Sequence, residues 1–360
     1  MKEFYCSTKI VSGTGAVAAL KDLGARRLFL VTDPFFAQNG TADRVAKAAG
    51  AEEVEIFSQV EPDPSVTLAA EGTVRVKAFG PDVIVALGGG SAMDCAKAMA
   101  YFSGRDIRLA AVPTTSGSGS EVTDFAVLTH NRVKYPLVDP RLRPELAVLD
   151  DSFLEKLPPS LVADGGFDVL SHALEAYVAK GASPATDALA RDGFCTAFAN
   201  LPASFAGRQE VRLQIHNAST LAGMAFTQAG LGLCHAMSHS LGGAFHVPHG
   251  RLNAILLPAV ISHNARAAAG KYARLSRAAG LGGSADTVAV HNLKNGLIRL
   301  RREMKLPATL AEAGIQPRQV WREMDNVVKA ALADPCCQTN PVKVEDFMIR
   351  KILEEVTGRG

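Results

Sequence analysis

The sequence carries almost no net charge: 38 basic against 36 acidic side chains leave a formal +2. A balance that close gives no electrostatic ground for a nucleic-acid surface. Long apolar runs are missing as well. Clusters such as Val83–Leu87 and Ile255–Leu257 fall far short of the roughly 18–20 residues that span a bilayer, so no membrane partner is expected. Met1–Tyr5 has neither an apolar run nor a small-residue cleavage site, and no secretory signal is expected. The six cysteines, at 6, 95, 195, 234, 336 and 337, make no CxxC pair and no disulfide framework, which points to reduced thiols in the cytoplasm. Internal repeats and low-complexity segments are absent too. What is there is ordinary globular composition, 48% hydrophobic and 21% charged with 32 glycines. At roughly 150 residues per domain, the length allows about two domains.

The two halves read differently. Up to about residue 152, short β-branched runs alternate with helical patterns. Arg27–Thr32, Glu53–Phe57, Asp82–Leu87, Leu109–Val112 and Leu146–Leu149 read as strands, several of them apolar on both faces. That order predicts an α/β domain over 1–152 built on a doubly wound parallel sheet. From 153 to 360 the strands stop. Ser160–Ala179, Ser183–Leu201, Glu210–Gln228, Leu233–Phe245, Arg251–Asn264, Ala285–Lys305 and Pro317–Leu332 carry helical spacing, so the second domain is expected to be all-helical.

Gly88-Gly89-Gly90-Ser91 turns a buried strand directly into a helix. Free amides at that helix start favour an anion such as a dinucleotide pyrophosphate. Pro113–Glu121 packs five hydroxyls and two glycines behind the next strand, at the sheet edge where ligands of open α/β sheets gather. A rival phosphate loop, Gly13-Thr14-Gly15-Ala16-Val17-Ala18, matches GxGxxA but follows a weaker strand. Asp33 closes the strand Arg27–Thr32. It either accepts hydrogen bonds from an adenosine ribose, which would favour NAD over NADP, or caps the helix after Pro34.

In the second half, Asp168 and His172 stand four residues apart, one helical turn. Four of the nine histidines fall within 235–249, with His235 and His239 again one turn apart and His249 in a Pro-His-Gly turn. One carboxylate with several imidazoles in apolar, glycine-rich surroundings suits Fe²⁺ or Zn²⁺.

Five motifs, GGGSAMDCAK (88–97), PTTSGSGSEVT (113–123), GFDVLSHALEAY (166–177), NASTLAGMAF (217–226) and GLCHAMSHSLGGAFHVPHG (232–250), resemble the iron-dependent (group III) alcohol dehydrogenases along essentially the whole chain. Residues 216–233 look most like the propanol dehydrogenases of propanediol- and ethanolamine-degrading operons. The resemblance implies a metal-dependent NAD(H) oxidoreductase that interconverts short-chain primary alcohols and aldehydes. By that likeness Asp168, His172, His235 and His249 fall on metal-ligand positions, and His239 on the active-site histidine. Asp33, Gly89, Gly90, Ser91, Asp94, Thr114, Thr115, Ser118 and Lys134 fall on cofactor positions. Thr123, Phe125, Phe226 and Cys336 fall on the substrate pocket. The implied partners are a small alcohol or aldehyde, a second copy in a homodimer and, in such operons, a bacterial microcompartment. Glycerol dehydrogenases and dehydroquinate synthases share the architecture, but typically carry Glu or fewer histidines at these positions. A non-catalytic scaffold role would not require an intact ligand set.

Overall fold

The computed structural model describes residues 3–130 and 133–358. They form two compact units, one of residues 5–130 and 133–157, the other of residues 158–358 with Glu3 and Phe4.

In the first unit the elements are β1 (Lys9–Ser12), β2 (Arg27–Val31), α1 (Pro34–Gln38), α2 (Thr41–Ala49), β3 (Glu53–Phe57), α3 (Val66–Phe79), β4 (Val83–Gly88), α4 (Gly90–Ser103), β5 (Arg108–Pro113), β6 (Phe125–His130), β7 (Val133–Val138) and β8 (Leu146–Leu149). Six of the strands make one sheet in the order β1-β8-β5-β4-β2-β3, parallel throughout. Side chains alternate across it. Leu28, Leu30, Val83, Val85, Leu87 and Val112 bury on one face, and Phe29, Val31, Ile84, Ala86 and Ala111 on the other. Burial on both faces is why these strands read as continuous apolar runs.

After β3 the chain crosses β2 and resumes at β4, so strand order reverses between β2 and β4. Ligands of such sheets collect at the carboxyl ends flanking that reversal. Asp33 follows β2 there and Gly88 ends β4. Beyond the expected strands, β6 and β7 pair as a separate antiparallel ribbon, with Val127 opposite Pro136.

The second unit is helical: α5 (Pro159–Val178), α6 (Pro184–Phe205), α7 (Arg212–Ala229), α8 (Leu233–Phe245), α9 (His249–Ala278), α10 (Asp286–Glu303), α11 (Pro317–Ala333), α12 (Cys336–Thr339) and α13 (Asp346–Thr357). α9 begins two residues earlier and ends fourteen later than expected, carrying Pro258 inside it. Glycines set the helix packing where no side chain fits. A Cβ on Gly250 would lie 1.9 Å from the Asp164 carbonyl oxygen, so the start of α9 rests against the backbone of α5.

Candidate metal centre and dinucleotide edge

Helix α5 presents Asp168 and His172 from one face, α8 contributes His235 from its first turn, and α9 contributes His249 as its first residue. Asp168 Oδ1 stands 3.7 Å from His172 Nδ1, 3.9 Å from His235 Nε2 and 3.5 Å from His249 Nε2. These are too long for hydrogen bonds. They are close to the roughly 3.3–3.6 Å that separates donors bound tetrahedrally to one divalent ion at its usual ligand distances. One donor atom from each of the four lies within 4.8 Å of the others. The cage therefore fits a metal, and its one carboxylate and three imidazoles fit Fe²⁺ or Zn²⁺.

Burial opposes charge on Asp168, but the imidazoles of His172, His249 and His235 facing it outweigh it and hold its carboxyl well below the usual range. Burial likewise disfavours charge on His235, yet Asp168 and Glu175 push it up to about 9. Anions that favour a proton there favour a metal cation as well. The Phe226 ring stacks on His172 with centroids 4.5 Å apart, forming an apolar wall beside the cage.

Three residues the sequence reasoning missed hold two of these ligands and the neighbouring His239. Asn253, one turn along α9 from His249, donates to Asp168 Oδ1 at 2.9 Å. Glu175, three residues past His172 on α5, meets His235 Nδ1 at 2.7 Å. Asp334, just past α11, meets His239 Nδ1 at 2.8 Å. The one sequence signal for Glu175 and Asn253 is helical phase, since both sit on the ligand-bearing faces. His239 itself lies beside the cage, its ring stacked on His249 with centroids 5.1 Å apart. A carboxylate can only accept, so Asp334 fixes the proton on His239 Nδ1 and leaves Nε2 to exchange one. The same hydrogen bond outweighs the upward push of burial and holds the Asp334 carboxyl down at about 2. Cys336 joins this second cluster, its sulfur within 4.8 Å of the His239 and Asp334 donors, and its amide donates to Asp334 Oδ1 at 2.8 Å.

The expected cofactor residues gather at the carboxyl edge of the sheet in the first unit. Gly88 has φ +148°, and a Cβ there would lie 2.7 Å from the Ala92 Cβ. Cβ atoms on Gly89 and Gly90 would press on Thr115 and Ser118, at 3.1 and 3.2 Å. The glycine turn and the hydroxyl-rich loop are thus packed together, and the Thr114 amide bonds the Gly88 carbonyl at 3.0 Å. Ser91 Oγ accepts from the Asp63 amide, and Lys134 pairs with the Asp63 carboxylate at 2.6 Å.

Asp33 caps α1, its Oδ1 accepting from Phe36 N at 3.1 Å. Its Oδ2 faces the glycine turn, 3.8 Å from where a Gly88 side chain would begin. The rival GxGxxA segment has its amides spent within the protein, with Val17 N donating to Asp150 at 3.0 Å.

Asp94, Thr123 and Phe125 meet in an internal network. Asp94 accepts from Ser120 Oγ and Val127 N. Lys97 donates to Ser120 Oγ, to Thr123 Oγ1 and its carbonyl, and to the Phe125 carbonyl, all at 2.9–3.0 Å. Burial lowers the Lys97 ammonium to about 8 against the opposing pull of Asp94.

A parallel sheet covered on both faces, with a glycine turn at its reversal, followed by a helical unit carrying an Asp/His cage, defines a metal-dependent dehydrogenase. Residues 7–151 match the iron-containing alcohol dehydrogenase family, and residues 162–357 match the C-terminal part of the Fe-containing alcohol dehydrogenase family. The chain belongs to the iron-containing alcohol dehydrogenases. It is 41% identical to the 1-propanol dehydrogenase PduQ of Citrobacter freundii, over 99% of this chain and 100% of that one. It is 38% identical to an NADPH-dependent butanol dehydrogenase of Clostridium saccharobutylicum, over 98% and 97%. The crystal structure of sulfoacetaldehyde reductase from Bifidobacterium kashiwanohense in complex with NAD⁺ superposes with a TM-score of 0.90 at 27% identity, covering 100% of both chains.

Proposed function

We propose that this alcohol dehydrogenase interconverts short-chain primary alcohols and aldehydes, propanal and 1-propanol foremost, with NAD(H) and iron. The Asp168/His172/His235/His249 cage is the observation that carries the reading, and full-length similarity to a 1-propanol dehydrogenase supports the substrate class. Iron, when bound, supplies Lewis-acid polarisation of the alcohol or carbonyl oxygen, and the nicotinamide supplies or accepts the hydride.

The chain's own residues do the rest. Asp168 and the three imidazoles would hold the ion, and Phe226 keeps water off His172. His239 exchanges the reacting oxygen's proton through Nε2, with Asp334 holding the ring in that tautomer. Gly89, Gly90, Ser91, Thr114, Thr115 and Ser118 line the edge that would cradle the pyrophosphate and ribose, and Lys134 is placed there through Asp63. We place the enzyme in the cytoplasm as a homodimer, and the likeness to propanediol-operon enzymes supports a microcompartment as its setting.

Cofactor choice gives the test, because a relative at 38% identity is NADPH-dependent. Asp33 Oδ2 faces the glycine turn, where it would accept from ribose hydroxyls and repel a 2′-phosphate. Charges a few ångströms apart near a protein surface are worth roughly 10- to 100-fold in kcat/KM. Iron-loaded enzyme assayed on C2–C5 aldehydes is expected to favour propanal with NADH. Asp33→Gly is expected to raise NADPH use while keeping iron content and kcat with NADH. Equal use of both cofactors by wild type, or an unchanged ratio in Asp33→Gly, overturns the role of Asp33. Absence of aldehyde reduction by iron-loaded enzyme overturns the activity.

A further inference from the structure

We propose that Glu175 sets the tautomer of His235, and so decides whether the cage can bind its metal at all; the inference rests on the metal centre described above. Glu175 is 2% exposed on α5. Its carboxylate accepts from four N–H groups at one end of α8: Gly232 N at 2.9 Å, Cys234 N at 2.7 Å, His235 N at 3.3 Å and His235 Nδ1 at 2.7 Å. Among the described residues its ion-pair partner is His235.

The chain makes room for this approach at Gly232, where a Cβ would lie 2.7 Å from Glu175 Oε1. Three of the four donors are backbone amides of the helix start, where a negative charge is favoured and the orphan N–H groups need acceptors. The fourth is the imidazole.

The chemistry of the acceptor decides the consequence. An acceptor already taken up by three backbone amides accepts from the imidazole too, so Nδ1 carries a proton and Nε2 is the nitrogen left to offer a lone pair. Asn253 supports the same assignment from the other side. Its Oδ1 accepts from Ser238 Oγ, so its Nδ2 is the atom facing His235 Nε2 at 3.4 Å, and Nε2 there can only accept. Nε2 is also the nitrogen turned toward Asp168. Charge agrees with this arrangement: two buried carboxylates, Asp168 and Glu175, and three neutral imidazoles are balanced by one divalent cation.

Glu175→Gln tests the idea with little change of shape. Oε2 accepts from Nδ1 and from the Gly232 and His235 amides together, so the glutamine either puts NH₂ there, donating to Nδ1 and driving the proton onto Nε2 against the metal, or keeps an uncharged oxygen there and loses the carboxylate's hold on the Nδ1 proton. Metal-free protein titrated with Co²⁺ or Zn²⁺, followed by calorimetry and cobalt absorption, is expected to bind about 10- to 100-fold more weakly in Glu175→Gln. Asn340→Ala separates this from a loss of helix capping. Asn340 accepts from Leu233 N at the same helix end without touching His235, so its loss should lower stability and leave metal affinity unchanged.

Should Glu175→Gln fail to fold, nitrogen shifts of labelled histidine in zinc-loaded wild type decide the matter. His235 protonated on Nδ1 supports the proposal, and His235 protonated on Nε2 overturns it. Metal affinity in folded Glu175→Gln equal to wild type overturns it alone, whereas wild type that binds no metal overturns the metal centre with it.

Discussion

Asp168→Ala is expected to bind no iron and to lose at least roughly a thousandfold in kcat/KM, since polarisation of a carbonyl by a metal is worth several kcal/mol and each 1.36 kcal/mol is tenfold. Asp168 is the single charged member of the cage, and the three imidazoles it faces at 3.5–3.9 Å cannot neutralise a divalent ion. The fold should survive. Truncation leaves the Asn253 amide without its acceptor, a cost of about 1–3 kcal/mol against a stability of about 5–15 kcal/mol. His239→Ala is the informative companion. It lies outside the cage, so it should keep its iron while kcat falls about 10²- to 10⁴-fold, the usual range for losing a proton-transfer group. Metal analysis beside turnover decides both. Full iron in Asp168→Ala removes that residue from the ligand set, and loss of iron in His239→Ala moves that histidine into it.

Gly250→Ala should do through packing what Asp168→Ala does through chemistry. The new methyl would sit 1.9 Å from the Asp164 carbonyl oxygen and 2.6 Å from its carbon, contacts with backbone that no rotamer can relieve. The start of α9 must therefore move away from α5. The atoms that move carry function: His249 is the preceding residue, and Asp168 lies one turn beyond Asp164. Arg251, the next residue, also holds Asp164 through two hydrogen bonds of 2.9 and 3.2 Å. Overpacking of this kind costs about 1–3 kcal/mol or more. The expected result is a lower melting temperature together with weakened metal binding. At Gly314 φ is +94° and a Cβ meets nothing within 4 Å; Gly314→Ala should cost some stability and spare the metal. Wild-type iron affinity in Gly250→Ala would show that the α5–α9 contact does not position the cage.

Much of the fold is legible in the amino-acid sequence. β4 is buried along its whole length, and burial on both faces writes a continuous apolar run into the sequence. The ribbon of β6 and β7 left no such trace: one of its strands contains Pro136, and Tyr135 and Val138 are exposed. α9 read as ending near Asn264 because its later part is rich in alanine and basic residues, with only a short buried stripe of Ala268, Tyr272 and Leu275. Asn264 is not a terminator. Its side-chain amide pairs in both directions with that of Asn340, a contact 76 residues away that local pattern does not show. The cage was legible because helical spacing and clustered imidazoles are unusual. Glu175, Asn253 and Asp334 were not, since a polar residue at helical spacing resembles a solvated face until tertiary structure buries it. Asp33 caps α1 with one oxygen, one of its two readings, and turns the other oxygen toward the glycine turn.

The neighbourhood of Cys336 bears on how such a centre tolerates its own substrates. Aldehydes are electrophiles, and a thiolate beside one would trap it as a hemithioacetal. Burial lifts the Cys336 thiol far above its ordinary range, and the Asp334 carboxylate lifts it further; Cys337 is pushed up to about 12 by the same two causes. At neutral pH both sulfurs stay protonated and weakly nucleophilic. The acid that fixes the His239 tautomer thereby also keeps the neighbouring thiols protonated.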